Sequence, residues 1–241
     1  MDLGFIGTGT ITAAVVAGIA DAGHRITVSE RSTVQSARLA AQFACVTAAT
    51  NQDVVDRSAV VLLGLQSTQA PQVLAGLRFR AGQQVISFIA ELPLERIAAL
   101  VAPAEAVAIM LPFPAIARGP SPILTLGDTT LIRALFCPTH TVFALQSAAE
   151  LRACLCAQAV LSPVLAMLVT AADWMADQGI DPAMGEPFLR ALVGSSLQAD
   201  DCTTSLAALS TPGGFNLRLR QTLQRAGLQT ALSEGLDALN H

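Results

Sequence analysis

Leu3-Gly4-Phe5-Ile6-Gly7-Thr8-Gly9-Thr10-Ile11-Thr12 is the run that decides how this chain is read. A short apolar stretch enters a Gly-x-Gly turn and passes at once into an Ala- and Val-rich segment ending near Ala22. Glycines in such a turn let the backbone approach a pyrophosphate, and the N-terminus of the next helix favours its negative charge. The three residues alone say little, and Thr12 stands where a third glycine is usual. Their setting says more. Strand, turn and helix are followed, about 20 residues on, by a second apolar stretch from Arg25 to Ser29, the spacing of a mononucleotide-binding βαβ unit.

Outward from this unit, strand and helix patterns alternate. Strands are expected at Leu3–Ile6, Arg25–Ser29, Val60–Leu65, Val85–Ile89, Ala106–Met110 and Ile123–Leu126. Helices are expected at Ile11–Ala22, Val34–Gln42, Asn51–Arg57, Thr68–Gly76, Pro93–Val101 and Thr129–Phe136. Continuous Val/Ile/Leu strands separated by helices indicate a parallel sheet covered on both faces. Beyond Ser147 only helical patterns remain, interrupted by Gly179 and by Thr211-Pro212-Gly213-Gly214. The fold class expected is an α/β Rossmann-type domain over residues 1–145 and an all-α dimerisation domain over residues 146–241.

Composition narrows the chemistry. Hydrophobic residues make up 52% of the 241 and charged ones 13%, so an interface with a second copy is the simplest cover for the excess. A net charge of −4 without a basic stripe argues against nucleic acid. All 14 basic residues are arginine and there is no tyrosine, which excludes a lysine Schiff base, a lysine base and a tyrosine acid. The five cysteines lack metal-ligand spacing, and no metal is expected. With no secretory leader before the first strand, a reducing cytoplasm is expected. Ala153 to Ala172 carries no charge and is long enough to span a bilayer. Gln158, Ser162 and Pro163 interrupt it, so a helix buried between subunits is expected and no membrane contact.

Cofactor choice turns on Ser29-Glu30-Arg31-Ser32. An acid at the end of the second strand suits the ribose hydroxyls of NAD, whereas Arg beside a hydroxyl suits the 2′-phosphate of NADP. Both types are present; Arg31 and Ser32 favour NADP, with NAD possible.

Four landmarks make the chain resemble the pyrroline-5-carboxylate reductase family over nearly its whole length. They are Gly7-Thr8-Gly9-Thr10-Ile11, Ala49-Thr50-Asn51, Ile86-Ser87-Phe88-Ile89-Ala90, and Ser210-Thr211-Pro212-Gly213-Gly214 with Leu219 and Gly227. The resemblance implies an N-terminal domain that binds NAD(P)H, a helical domain that dimerises, and hydride transfer to a cyclic imine where the domains meet. It implies that Asn51 touches the adenosine side of the cofactor and that Leu65 and Gln66 lie along its nicotinamide half, with Ala90 nearby. Met110, Pro112, Gly213 and Gly214 then fall on the substrate side.

The departures are as informative. The family's Val-Lys-Pro reads Leu65-Gln66-Ser67, and its Met-Pro-Asn-Thr-Pro reads Met110-Leu111-Pro112-Phe113-Pro114. The polar opening of its long helix reads Ala159-Val160-Leu161-Ser162-Pro163, and its two threonines after Pro-Gly-Gly become Phe215 and Asn216. A small carboxylate substrate therefore loses its donors, and a larger or less polar imine is favoured. Asn216 and Ser162 are the expected polar groups at the reacting end. Glu91 is more simply a solvated carboxylate than an acid, and His24, His140 and His241 stand apart from the motifs. The expected activity is NAD(P)H-dependent reduction of a C=N bond by a homodimer or an assembly of dimers acting on a small molecule. A hydroxyacid-dehydrogenase-like enzyme and a weakly catalytic dinucleotide sensor are the alternatives.

Overall fold

β1 (Asp2–Ile6) lies in the middle of an eight-stranded sheet and sets its faces. Leu3 and Phe5 enter one core and Ile6 the opposite one, as the two-residue period of a strand dictates. Gly4 also faces the second side. A Cβ there would stand 2.8 Å from Val54 Cγ1, so the missing side chain lets a helix close onto the strand. In a computed structural model that describes residues 1–240, the chain divides into two compact units, Met1–Leu151 and the segment from Arg152 onward.

The first unit adds β2 (Arg25–Ser29), β3 (Val46–Ala49), β4 (Val60–Leu63), β5 (Gln84–Ser87), β6 (Glu105–Pro112), β7 (Pro122–Gly127) and β8 (Thr141–Leu145). Their order across the sheet is β3-β2-β1-β4-β5-β6-β7-β8. The helices are α1 (Thr10–Ile19), α2 (Thr33–Gln42), α3 (Asn51–Arg57), α4 (Ala70–Ala75), α5 (Leu94–Val101) and α6 (Thr130–Phe136). Val15, Val16 and Ile19 of α1, with Leu39 of α2 and Ile132 of α6, cover one face. Val54, Val55, Leu74, Ile97 and Val101 from α3, α4 and α5 cover the other. This is an α/β sheet buried on both sides, the class expected from the alternating pattern.

Two strands and one pairing direction differ from the sequence reading. β3 and β8 form the two edges of the sheet and were not expected as strands. An edge strand gains from pairing on one side only, and just Val142 of β8 is buried, so the apolar pattern is too thin to mark it. The sheet is also not wholly parallel. β6 and β7 pair antiparallel, with Pro112 opposite Ile123, because the chain turns back through a short 3-10 turn at Pro114–Ala117 instead of a crossover helix.

The second unit continues from α7 (Ala148–Ala157) into α8 (Leu161–Asp177), α9 (Pro182–Ala199), α10 (Cys202–Ala208), α11 (Phe215–Arg225) and α12 (Leu228–Asn240). A 3-10 turn at Gln158–Val160 separates α7 from α8. Pro163 supplies the reason, since it has no N–H to donate one turn back. α8 and α9 pack together. From Arg152 to Asn240 only Gly185 is buried. Trp174 is 63% exposed, and Leu161, Leu165, Phe188 and Leu192 are exposed as well.

Candidate functional site

β1, β2, β4, β5 and β6 run in one direction, so their C-terminal ends share one edge of the sheet. The strand order reverses between β1 and β4, and a crevice opens at such a switch point. Gly7, Thr8 and Gly9 follow β1; Glu30, Arg31 and Ser32 follow β2; Leu65 and Gln66 follow β4; Ala90 follows β5; Pro112 ends β6. Asn51 opens α3 just after β3. One edge thus gathers the cofactor residues expected from separate parts of the sequence.

The turn after β1 is held by tight packing. Gly7 has φ +90°, a conformation favouring glycine, and a Cβ there would overlap the Gly64 carbonyl oxygen. Its N–H donates to Ser29 Oγ at 2.8 Å, which ties the turn to the end of β2. Gly9 is different: a Cβ there would meet nothing within 4 Å, so this side of the turn faces open space. Gly9 is also the N-cap of α1, with no side-chain cap and no acidic residue in the first turn. The free N–H groups at Thr10 and Ile11 and the helix dipole therefore remain available to an anion. A pyrophosphate fits this open cradle.

Thr12 explains how the chain does without a third glycine. It is 1% exposed, and a Cβ on Gly64 would overlap its Oγ1. The small residue that permits close helix–strand approach has moved from the helix to the end of β4. Ser29 and Gly64 were both missed as functional residues. Nothing in the local sequence marks them, because each acts across the sheet.

On the adenosine side, Arg31 Nη1 donates to Gln69 Oε1 at 3.1 Å. Ser32 precedes α2, whose first turn carries no acid and no side-chain cap. Thr50 caps α3 by accepting from the Asp53 N–H at 3.2 Å, which fixes Asn51 at the first helical position. Ala90 is half-buried and Glu91 exposed. Ser87 Oγ accepts from the Ile89 N–H at 3.1 Å and shapes the turn leading to them.

The candidate substrate residues fall in both units. Met110 is wholly buried and belongs to the first core cluster. Leu111 and Pro112 are buried and Phe113 half-buried. In the second unit Gly213 has φ +76°, and Gly214 donates its N–H to the Thr211 carbonyl at 3.0 Å and caps α11. Arg220 braces this loop, with Nη2 on Ser210 Oγ at 2.7 Å and Nη1 on the Leu206 carbonyl at 3.2 Å. Asn216 is exposed in the first turn of α11, and Phe215 before it is 87% exposed. Ser162 is exposed near the start of α8.

The histidines lie elsewhere. His24 precedes β2, at the opposite end of the strands from the Gly7 turn; burial, and then the neighbouring N-terminal ammonium, lower its pKa. His140 precedes the edge strand β8. The residue is 5% exposed, and its ring stacks edge-on against Phe136 with Nδ1 unpartnered. Burial lowers its pKa, because desolvation disfavours the charged ring. His241 lies outside the described residues. Among the described residues no group of His, Cys, Asp and Glu could hold a metal ion.

Comparison with known proteins supports the fold. Residues 2–91 match the family model described as NADP oxidoreductase, coenzyme F420-dependent. No curated protein matches in sequence. Among solved structures, the 1-pyrroline-5-carboxylate reductase of Streptococcus pyogenes superposes with a TM-score of 0.85 at 22% identity, covering 100% of this chain and 96% of that one. The Plasmodium falciparum pyrroline carboxylate reductase, solved with NADP bound, gives 0.83 at 13% identity, covering 100% and 95%. A reductive aminase from Aspergillus terreus, in complex with NADPH4, cyclohexanone and allyl amine, gives 0.61 at 18% identity, covering 87% and 75%. The chain has the fold of the pyrroline-5-carboxylate reductases.

Proposed function

We propose that this chain is an NADPH-dependent reductase of C=N bonds, similar to the pyrroline-5-carboxylate reductases but with a different substrate. The observation that carries the proposal is the cradle at the strand-order reversal. There a left-handed Gly7, an open Gly9 and the uncapped α1 N-terminus leave room and free N–H donors for a pyrophosphate. The family model over residues 2–91 supports the same half of the chain as the cofactor domain. The NADP-bound and NADPH4-bound relatives of the fold, together with Arg31 and Ser32, favour NADPH over NADH.

When bound, NADPH would supply a hydride for reduction of the imine carbon. The chain's own residues bind and orient it. The α1 N-terminus receives the pyrophosphate, Arg31 and Ser32 the 2′-phosphate, Asn51 the adenosine side, and Leu65, Gln66 and Ala90 the nicotinamide side. The chain has no lysine or tyrosine to donate a proton. An imine already protonated in solution needs none. Asn216 and Ser162, both exposed in the helical unit, are proposed as hydrogen-bonding groups for the substrate. The apolar replacements Leu111, Phe113 and Phe215, each at a position where the resemblance leads to a polar residue or a different loop, favour an apolar imine over a small carboxylate.

The helical unit is proposed to bury its apolar face against a second copy of the chain. The helical run Ala148–Asp177 meets the length and composition of a membrane span, and its most apolar window is unburied. A second copy covers such a surface without requiring a bilayer. The five cysteines are free thiols, which suits a reducing cytoplasm.

Calorimetric titration with NADPH and NADH, followed by a panel of cyclic imines monitored through cofactor absorbance, tests the proposal. Tight NADPH binding and turnover of apolar imines are expected. Failure to bind either dinucleotide overturns the proposal, and efficient turnover of pyrroline-5-carboxylate overturns the substrate part.

A further inference from the structure

The geometry points to Gln69 as a residue that sets the preference for NADPH over NADH, acting through Arg31. The inference rests on the NADPH reading above. Arg31 follows β2 and Gln69 follows β4, the two strands that flank β1, so their 3.1 Å hydrogen bond spans the end of β1 beside the Gly7–Gly9 turn. A guanidinium has only donors, so the amide must present Oε1 to it. Gln69 is well placed to hold that pose. It is half-buried, its N–H donates to the Gln66 carbonyl at 3.0 Å, and its own carbonyl accepts from Val73 in the following helix.

Charge decides what the pairing does. The partner is a neutral amide, and no ion pair engages Arg31 among the described residues, although Glu30 is its neighbour in sequence. Gln69 therefore fixes the guanidinium without neutralising it, and Nε and Nη2 stay free for a second acceptor. The first turn of α2 beside it has no acid and no side-chain cap. An oriented uncompensated guanidinium, the Ser32 hydroxyl and a free helix N-terminus together suit a dianionic phosphate monoester, which NADPH carries on the ribose and NADH lacks. A longer loop arginine without such a tether would lose more side-chain freedom on binding.

The test is a double-mutant cycle on the full chain, read as dissociation constants for NADPH and NADH. Gln69→Ala is expected to weaken NADPH about fivefold while changing NADH less than about twofold. Gln69→Glu supplies a carboxylate that pairs with Arg31 and repels the phosphate; the NADPH-to-NADH preference is expected to fall about tenfold or more. In an Arg31→Ala background, Gln69→Ala is expected to have no further effect on NADPH. Equal weakening of both dinucleotides by Gln69→Ala, or full additivity in the cycle, overturns the inference while leaving the function proposal standing. Absence of dinucleotide binding by the unaltered protein removes the function proposal and this inference with it.

Discussion

α1 and α8 are both apolar helices without a charged residue in their first two turns, yet they end in opposite circumstances. Four of the ten residues of α1 are buried: Thr12, Val15, Val16 and Ile19. None of the seventeen residues of α8 is buried. The same contrast separates the two units. The Met1–Leu151 unit closes two cores around its sheet, whereas the helices after Arg152 bury only Gly185. Apolar composition therefore does not by itself report a core. In the first unit it lies within the chain's own cores, and in the second it is left on the surface.

The strongest break of this comparison is to separate the units. Residues 1–151 expressed alone are expected to unfold in one sharp thermal transition, because the cores lie wholly within them. Residues 152–241 alone are expected to give a broad, weakly cooperative transition by circular dichroism. A sharp monomeric transition for the second fragment would show that it does not need a partner surface.

A charged residue on the exposed face of α8 comes next. Leu165→Asp is expected to move the sedimentation profile toward monomer and to lower the melting temperature. Val34→Asp on α2, where the side chain is 81% exposed, is expected to stay within about 0.5 kcal/mol of the parent. If the two behave alike, the α8 face is ordinary surface.

Within the first unit, Gly64→Ala places a methyl group against Thr12 and is expected to cost about 1–3 kcal/mol and weaken dinucleotide binding. Adding Thr12→Ala should recover much of both losses, as measured by denaturant unfolding and NADPH titration. Independent, additive effects would separate the two residues.

The smallest expected effect distinguishes the units by pH. His140 in the first unit has its pKa lowered by burial from an ordinary value of 6.5. The unfolded chain then binds the proton more readily than the folded one, so the stabilising effect of the neutral ring is complete above about pH 6.5 and is lost as pH falls below it. His140→Phe should flatten that slope. In the second unit the Thr204 hydroxyl, then the Thr204 N–H, hold Asp201 below its ordinary 3.8. Its capping contribution is present above that value and fades only as pH drops lower. Denaturant midpoints from about pH 2 to about pH 7 check both.

Much of the fold was legible because its signals are local. Asn51–Arg57 begins and ends where the sequence places it, since Thr50 caps it and Ser58 follows in extended conformation. The Gly7–Gly9 turn and the residues after β2, β4 and β5 were legible for the same reason: each sits at the end of an apolar run. Other features were not legible. The edges β3 and β8 bury too little to show an apolar pattern, and the reversal at β6–β7 depends on where a loop leads.

By itself the sequence determined the class of the fold, the alternation of six of its eight strands with helices, the dinucleotide-type turn and the lack of lysine or tyrosine for acid–base work. Periodicity and turn chemistry are properties of neighbouring residues, so they survive without a partner. Only the tertiary structure decided that Gly64 replaces the third glycine for Thr12, that Ser29 fastens the turn, that Gln69 meets Arg31, and that Met110 belongs to the core. Each of these depends on residues brought together across strands or helices, and no local spacing encodes such distances.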